Sequence, residues 1–91
     1  MRLAWTVRAQ DDLRRVHGFL VHKNKKAAAA AVEALAEAPN RLVLQPHIGE
    51  RVETITARDV RRILVGDYEI RYDVLDEEIR ALRIFHTREN R

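Results

Sequence analysis

The sequence predicts an α+β fold: one antiparallel sheet of about four strands, covered on one face by an N-terminal helical hairpin, in the order β-α-α-β-β-β. Three observations carry this. From Arg58 to Arg88 the chain holds three strand-like runs separated by two short polar turns, Gly66-Asp67 and Asp76-Glu77. In the middle run Tyr68, Ile70, Tyr72 and Val74 alternate with Glu69, Arg71 and Asp73, which makes one face apolar and the other charged. Between residues 9 and 38 the apolar spacing is helical instead, and a proline follows.

Taken in order, Arg2 to Arg8 alternates, with Leu3, Trp5 and Val7 against Arg2, Ala4, Thr6 and Arg8, and reads as a half-buried first strand. Trp5, in phase with Leu3 and Val7, is assigned to the core. Ala9, Leu13, Val16 and Leu20 form the stripe of a first helix over Ala9 to His22, widened by Phe19. Asp11 and Asp12 are placed in its first turn, where the helix dipole favours negative charge. Gly18 is expected to let the next helix approach closely. Asn24 is a good N-cap for the alanine-rich run Lys25 to Ala38, whose stripe is Ala28, Ala31, Val32, Leu35 and Ala36. Pro39 ends that helix or begins a short turn over Asn40 to Leu44, and Pro46 to Gly49 is loop. Arg51 to Thr56 is either a short edge strand or a link. The core is expected from the hairpin stripe and the row Tyr68, Ile70, Tyr72 and Val74, with Leu82 and Ile84. The last strand is apolar in both registers: Ile79, Ala81 and Phe85 oppose Leu82 and Ile84. A strand of that kind is central in the sheet or covered by a partner.

Ninety-one residues fit one domain, 1–91, with one modest core. Hydrophobic residues make up 46% and charged residues 34%, which excludes a disordered chain. There is no cysteine, so disulfides, thiolate chemistry and cysteine-based zinc sites are excluded. The N-terminus lacks the apolar core of a signal peptide. The longest strictly apolar run, Ala27 to Val32, is far short of the ~20 residues a membrane span needs. Fourteen of the seventeen basic residues are arginine, the side chain suited to planar contacts with carboxylate or phosphate. The net charge of +3 is too small to announce nucleic-acid binding. His17, His22 and His47 are scattered, so no metal and no cofactor is expected.

Ala9-x-x-Asp12-Leu13 opens the first helix, and Asn24 leads the alanine-rich second. Pro46-x-x-Gly49 and Arg61-x-Ile63-Leu64-Val65-x-x-Tyr68-x-Ile70-x-Tyr72 follow, and Leu82-Arg83-Ile84-x-His86-x-Arg88 closes the chain. In this order, over essentially the whole chain, the motifs resemble the RelE/ParE superfamily of bacterial toxins from type II toxin–antitoxin pairs. That resemblance implies two branches: RelE-like members cleave mRNA in the ribosomal A site, whereas ParE-like members bind DNA gyrase without being enzymes. Both are held inactive by an antitoxin lying over the helical hairpin and the sheet.

The resemblance favours the ParE-like branch. RelE-like nucleases carry a basic cluster and usually a terminal tyrosine. Here Arg62 falls where one of their lysines would, and Arg88 matches a basic position after the last strand. Glu69, however, occupies a middle-strand position where they carry arginine, and no tyrosine follows Tyr72. A carboxylate there repels a scissile phosphate. The expectation is therefore a cytoplasmic toxin of a plasmid-stabilisation module, inhibiting DNA gyrase and neutralised by a ParD-like antitoxin in a toxin–antitoxin hetero-oligomer. The alternatives are a ribosome-dependent mRNA endonuclease using Arg62, His86 and Arg88, and a non-toxic partner-binding relative. Antitoxin contacts are expected at Phe19, Leu20, Val32 and Leu35 on the hairpin and at Arg71 and Arg83 on the sheet. Target contacts are expected at Arg58, Arg61, Arg62, Phe85, His86 and Arg88, on the meander's basic face and the Phe85–Arg91 tail. The plain alternatives are that His86 caps its strand and that the mid-strand arginines pair with neighbouring carboxylates.

Overall fold

Thr6 decides where the first strand stops. Its side chain accepts a hydrogen bond from the Ala9 N–H (3.0 Å), an N-cap that starts helix α1 at Val7. In the computed structural model, which describes residues 1–89, strand β1 is therefore Arg2–Trp5 and α1 is Val7–Val21. The alternation read through Arg8 ends early because a cap at Thr6 outweighs it. Asp11 and Asp12 consequently fall beyond the first turn, and the dipole role expected of them does not hold. Asn24 Oδ1 accepts from the Ala27 N–H (3.1 Å) and opens α2, Lys25–Glu37, as expected. Pro39, with φ −65°, leads a short helix α3, Asn40–Leu44.

Strands β2 (Glu50–Arg51), β3 (Val60–Val65), β4 (Tyr68–Val74) and β5 (Glu78–His86) follow. The sheet order is β1-β5-β4-β3-β2. The meander is antiparallel, and Gly66 at its first turn has the positive φ (58°) that such a reversal requires. The sheet as a whole is mixed, because β1 joins β5 in parallel, with Leu3 beside Ile79. The helical hairpin carries the chain away from β1, which leaves it free to close the open edge of β5. β2 covers only Arg61 and Arg62 of β3. No helix among the described residues is long and apolar enough to cross a membrane.

A β-bulge lies between Tyr72 and Ala81 on one side and Arg71 and Arg83 on the other. The extra residue, Leu82, reverses the phase of β5. Ile79, Ala81 and Ile84 all turn to the helices and are fully buried, while Leu82 and Phe85 are only partly buried. The doubly apolar pattern of β5 thus records a phase change within one strand, and Leu82 is not in the core. Val16, Leu35, Ala38, Ile70 and Ile84 form one buried cluster, with Trp5, Leu13, Leu20, Ile63 and Tyr68 packed against it. Leu42 of α3 joins Tyr72 and Ile79 in a second. Full burial of such side chains contributes about 1.5–3 kcal/mol each.

Tyr72 also fixes the loop that follows α3. Its hydroxyl donates to the Pro46 carbonyl (2.9 Å) and accepts from the Gly49 N–H (2.9 Å). A Cβ on Gly49 would collide with that hydroxyl and stand 2.8 Å from the Arg62 carbonyl oxygen. Gly18 is different: nothing lies within 4 Å of where its Cβ would be, so it grants no close approach to α2. The two glycines should respond oppositely to alanine in urea unfolding. Gly49→Ala should destabilise by about 1–3 kcal/mol through overpacking. Gly18→Ala, in an open helical position, should stabilise by up to about 1 kcal/mol.

Candidate functional site

The site is positioned by what happens where β1 runs out. β1 covers β5 only from Glu78 to Ala81. Beyond it, α1 supplies the hydrogen bonds a strand would have made. The Thr6 N–H donates to the Ala81 carbonyl (3.0 Å), and the Thr6 hydroxyl donates to the Leu82 carbonyl (3.0 Å). Asp12 Oδ2 accepts from the Ile84 N–H (2.8 Å), and Arg15 donates to the Ile84 carbonyl (3.2 Å). The same Asp12 carboxylate takes two bonds from the Arg83 guanidinium, at 2.8 and 3.2 Å. Asp12 is buried, at 5% exposure. Burial alone would raise its pKa, but the bonds from Arg83 and Ile84, with the charges of Arg83 and Arg15, hold it below the usual carboxylate range.

Arg83 so fixed lies on the sheet face turned away from the helices, opposite Arg71 of β4. There a cavity of about 380 Å³ is lined by Arg8, Arg58, Arg71 and Arg83, with Ile55, Leu82 and Phe85 among its apolar walls. The Phe85 ring carries two of these cations, Arg71 at 5.3 Å and Arg83 at 4.8 Å from its centroid. Buried carboxylates hold the arginines from behind. Glu69, 2% exposed, accepts from Arg71 (2.9 Å) and lies 3.9 Å from Arg62. Asp73, 1% exposed, stands 3.5 Å from Arg58, and its Oδ1 accepts no hydrogen bond. Arg8 makes no ion pair among the described residues. A cleft of guanidinium groups around a phenylalanine can bind an extended anionic chain bearing an apolar side chain.

The residues expected from sequence divide between places. Arg58, Arg71, Arg83 and Phe85 meet in this cleft. Arg62 is on the same face, bonded to Glu50 at 2.5 Å. Arg61 is turned the other way and clasps the loop, donating to the His47 and Gly49 carbonyls and to Asp59. His86 and Arg88 lie with Tyr68 and Phe19 around a separate cavity on the helix side. The structure therefore does not bring Arg62 together with His86 and Arg88. Of the Phe85–Arg91 tail, Asn90 and Arg91 lie outside the described residues. On the hairpin, Val32 lines a groove of about 460 Å³ with Trp5, Leu13 and His17. Leu35 is buried core, and Leu20, partly buried against that core, is not among the residues that line this groove. Neither Asp12 nor Arg8 has a place in a site from sequence reading alone. Asp12 carried a signal: it falls on the buried stripe Ala9, Asp12, Val16, where a charge needs a partner.

The chain matches the family model described as the ParE toxin of the type II toxin–antitoxin system parDE, over residues 3–91. No curated protein matches it in sequence. Solved structures do match, among them a chain of the chromosomal ParDE toxin–antitoxin system from P. aeruginosa. The TM-score is 0.80 at 24% identity, covering 94% of this chain and 95% of that one. At that identity the likeness is one of fold.

Because its pKa is lowered on folding, the Asp12 carboxylate adds stability that is present above its unfolded value. That stability is lost as pH falls through the folded one. Asp12→Asn should cost roughly 1–3 kcal/mol at neutral pH. It should also flatten the loss of stability expected below about pH 4 in the parent protein. Urea unfolding at a series of pH values checks both.

Proposed function

This chain belongs to the ParE toxin family of type II toxin–antitoxin systems, and on that premise we propose that it inhibits DNA gyrase by binding and is silenced by a cognate antitoxin. Its place of action is the cytoplasm, where its target works. The observation that carries the choice of binding over cutting is the separation of the three residues a nuclease would use. Arg62 stands on the open sheet face with Glu50 and Glu69, whereas His86 and Arg88 belong to the helix side. Metal-free RNA cleavage needs its proton-moving and charge-stabilising groups around one phosphate. Here the buried Glu69 carboxylate also opposes a phosphate at Arg62 and Arg71.

The cleft of Arg8, Arg58, Arg71 and Arg83 around Phe85 suits the acting surface. Residues expected to meet the target (Arg58, Phe85) and residues expected to meet the antitoxin (Arg71, Arg83) share it. The antitoxin therefore neutralises by occupying the surface that the target needs. Its acidic side chains join Glu69, Asp73 and Asp12 as partners of the arginines, and an apolar residue lies against Phe85.

Purified protein should stop gyrase supercoiling and leave mRNA intact in a translating extract. Cleavage of mRNA at the ribosomal A site would overturn this reading. Arg8→Gln, at a residue with no ion pair among the described residues, should leave the melting temperature unchanged. It should weaken both gyrase inhibition and antitoxin affinity by about tenfold. Loss of one without the other would show that target and antitoxin use different surfaces.

A further inference from the structure

The cavity on the helix side, of about 540 Å³, has no part in the reading above. It lies between the last turns of α1, with Val16 and Phe19, and the adjoining ends of β4 and β5, with Tyr68 and His86. Lys23, Arg88, Arg15 and Glu89 complete its rim.

Its hydrogen-bonding groups face one way. His86 Nδ1 accepts the backbone N–H of Arg88 (3.1 Å), so the proton of the neutral ring belongs on Nε2, which is then a donor. The Tyr68 ring meets His86 edge-on at 5.3 Å, and its hydroxyl has no partner among the described residues. Neither the Lys23 ammonium nor the Arg88 guanidinium makes an ion pair among the described residues. The carboxylate present, Glu89, already accepts from Arg15 (3.0 Å) and from the His86 N–H (3.0 Å). Arg15 is taken up by Glu89 and Asp12, so among the described residues Lys23 and Arg88 are the uncompensated cations of the cavity, and His86 offers a donor and no spare acceptor.

Beside these donors lies a flat apolar surface. Phe19 is 60% exposed; the Lys23 ammonium lies over one face of its ring, 4.4 Å from the centroid, so stacking falls to the other face. An exposed aromatic ring next to cations and neutral donors fits a ligand that is planar at one end and a multi-oxygen anion at the other. We infer that this cavity binds a nucleotide unit, with its base stacked on Phe19 and its phosphate held by Lys23, Arg88 and the Nε2–H of His86. The volume is in the range of small-molecule sites. An acidic peptide would satisfy the cations but would have no use for the ring. The inference is independent of whether gyrase is the target.

The test titrates the full chain with adenosine monophosphate, inorganic phosphate, a short single-stranded oligonucleotide and a glutamate-rich peptide. Calorimetry gives the affinities, and NMR follows the Phe19, Tyr68 and His86 ring signals. Adenosine monophosphate should bind about tenfold tighter than inorganic phosphate and should shift those ring signals. Phe19→Ala, at an exposed position, should erase that margin while phosphate still binds, and Phe19→Trp should restore it. Arg88→Gln should weaken both ligands by about tenfold, whereas Arg8→Gln on the other face should change neither. An oligonucleotide bound tighter than the mononucleotide would support the site with nucleic acid as its source. Equal affinity would support it with free nucleotide as the source. Equal affinity for phosphate and adenosine monophosphate, binding that survives Phe19→Ala, or a preference for the peptide with the same ring shifts would each overturn the inference.

Discussion

One buried carboxylate sets the geometry of this molecule. Asp12 is bonded at once to a strand N–H and to a guanidinium of the same strand, at 2.8 Å each. A carboxylate this enclosed is tolerable only with such partners, because an unpaired buried charge costs several kcal/mol. The need is mutual. β1 stops short, the Ile84 N–H points away from β4, and without α1 it would have no partner. The helix is therefore held against β5 at one register, and Arg83 is presented to the open face from a fixed root. Phe85, two residues on, then lies beneath Arg83 and Arg71. A helix–strand junction is thereby coupled to the shape of the arginine-lined cleft.

Much of this could be read from the chain before its shape was known. The meander, its turns, the helical hairpin and the Asn24 cap are local features with local signatures. The two helices on one sheet face follow from apolar periodicity. What escaped the reading is non-local or conditional. The bulge at Leu82 shifts the register of β5 against β4, and the strand announces it only as apolar residues in both phases. The parallel entry of β1 depends on which edge the finished meander leaves open. Arg61 and Arg62 are adjacent in sequence and opposite in space, so a basic run divided into a loop clasp and a surface residue. Leu35 and Val32 share a helical stripe, yet only Val32 reaches the groove. The cleft's makeup was half legible: Arg58, Arg71, Arg83 and Phe85 were identified, but as members of two sites.

The open face shows how a protein can store positive charge. Glu69, Asp73 and Asp12 lie under the arginines that line the cleft and keep them oriented while no partner is present. Orientation of this kind lowers the entropy lost when a partner arrives. Asp73 Oδ1, buried and without a hydrogen bond, marks the least satisfied point of that support. A shared scaffold does not by itself fix what such a face binds, which is why the chemistry of these few side chains matters more than the fold they share with relatives.

The strand made last stands in the middle of the sheet's inner half. β5 inserts between β1 and β4, both of which precede it in the chain. During translation those two neighbours emerge first and have nothing to hold them side by side. The Asp12 clamp has no Arg83 to grip, and Phe85 has yet to be added to the cleft. Closure waits until residue 86 has left the ribosomal tunnel. A nascent chain that stops short of residue 86 therefore has neither the closed sheet nor the finished cleft.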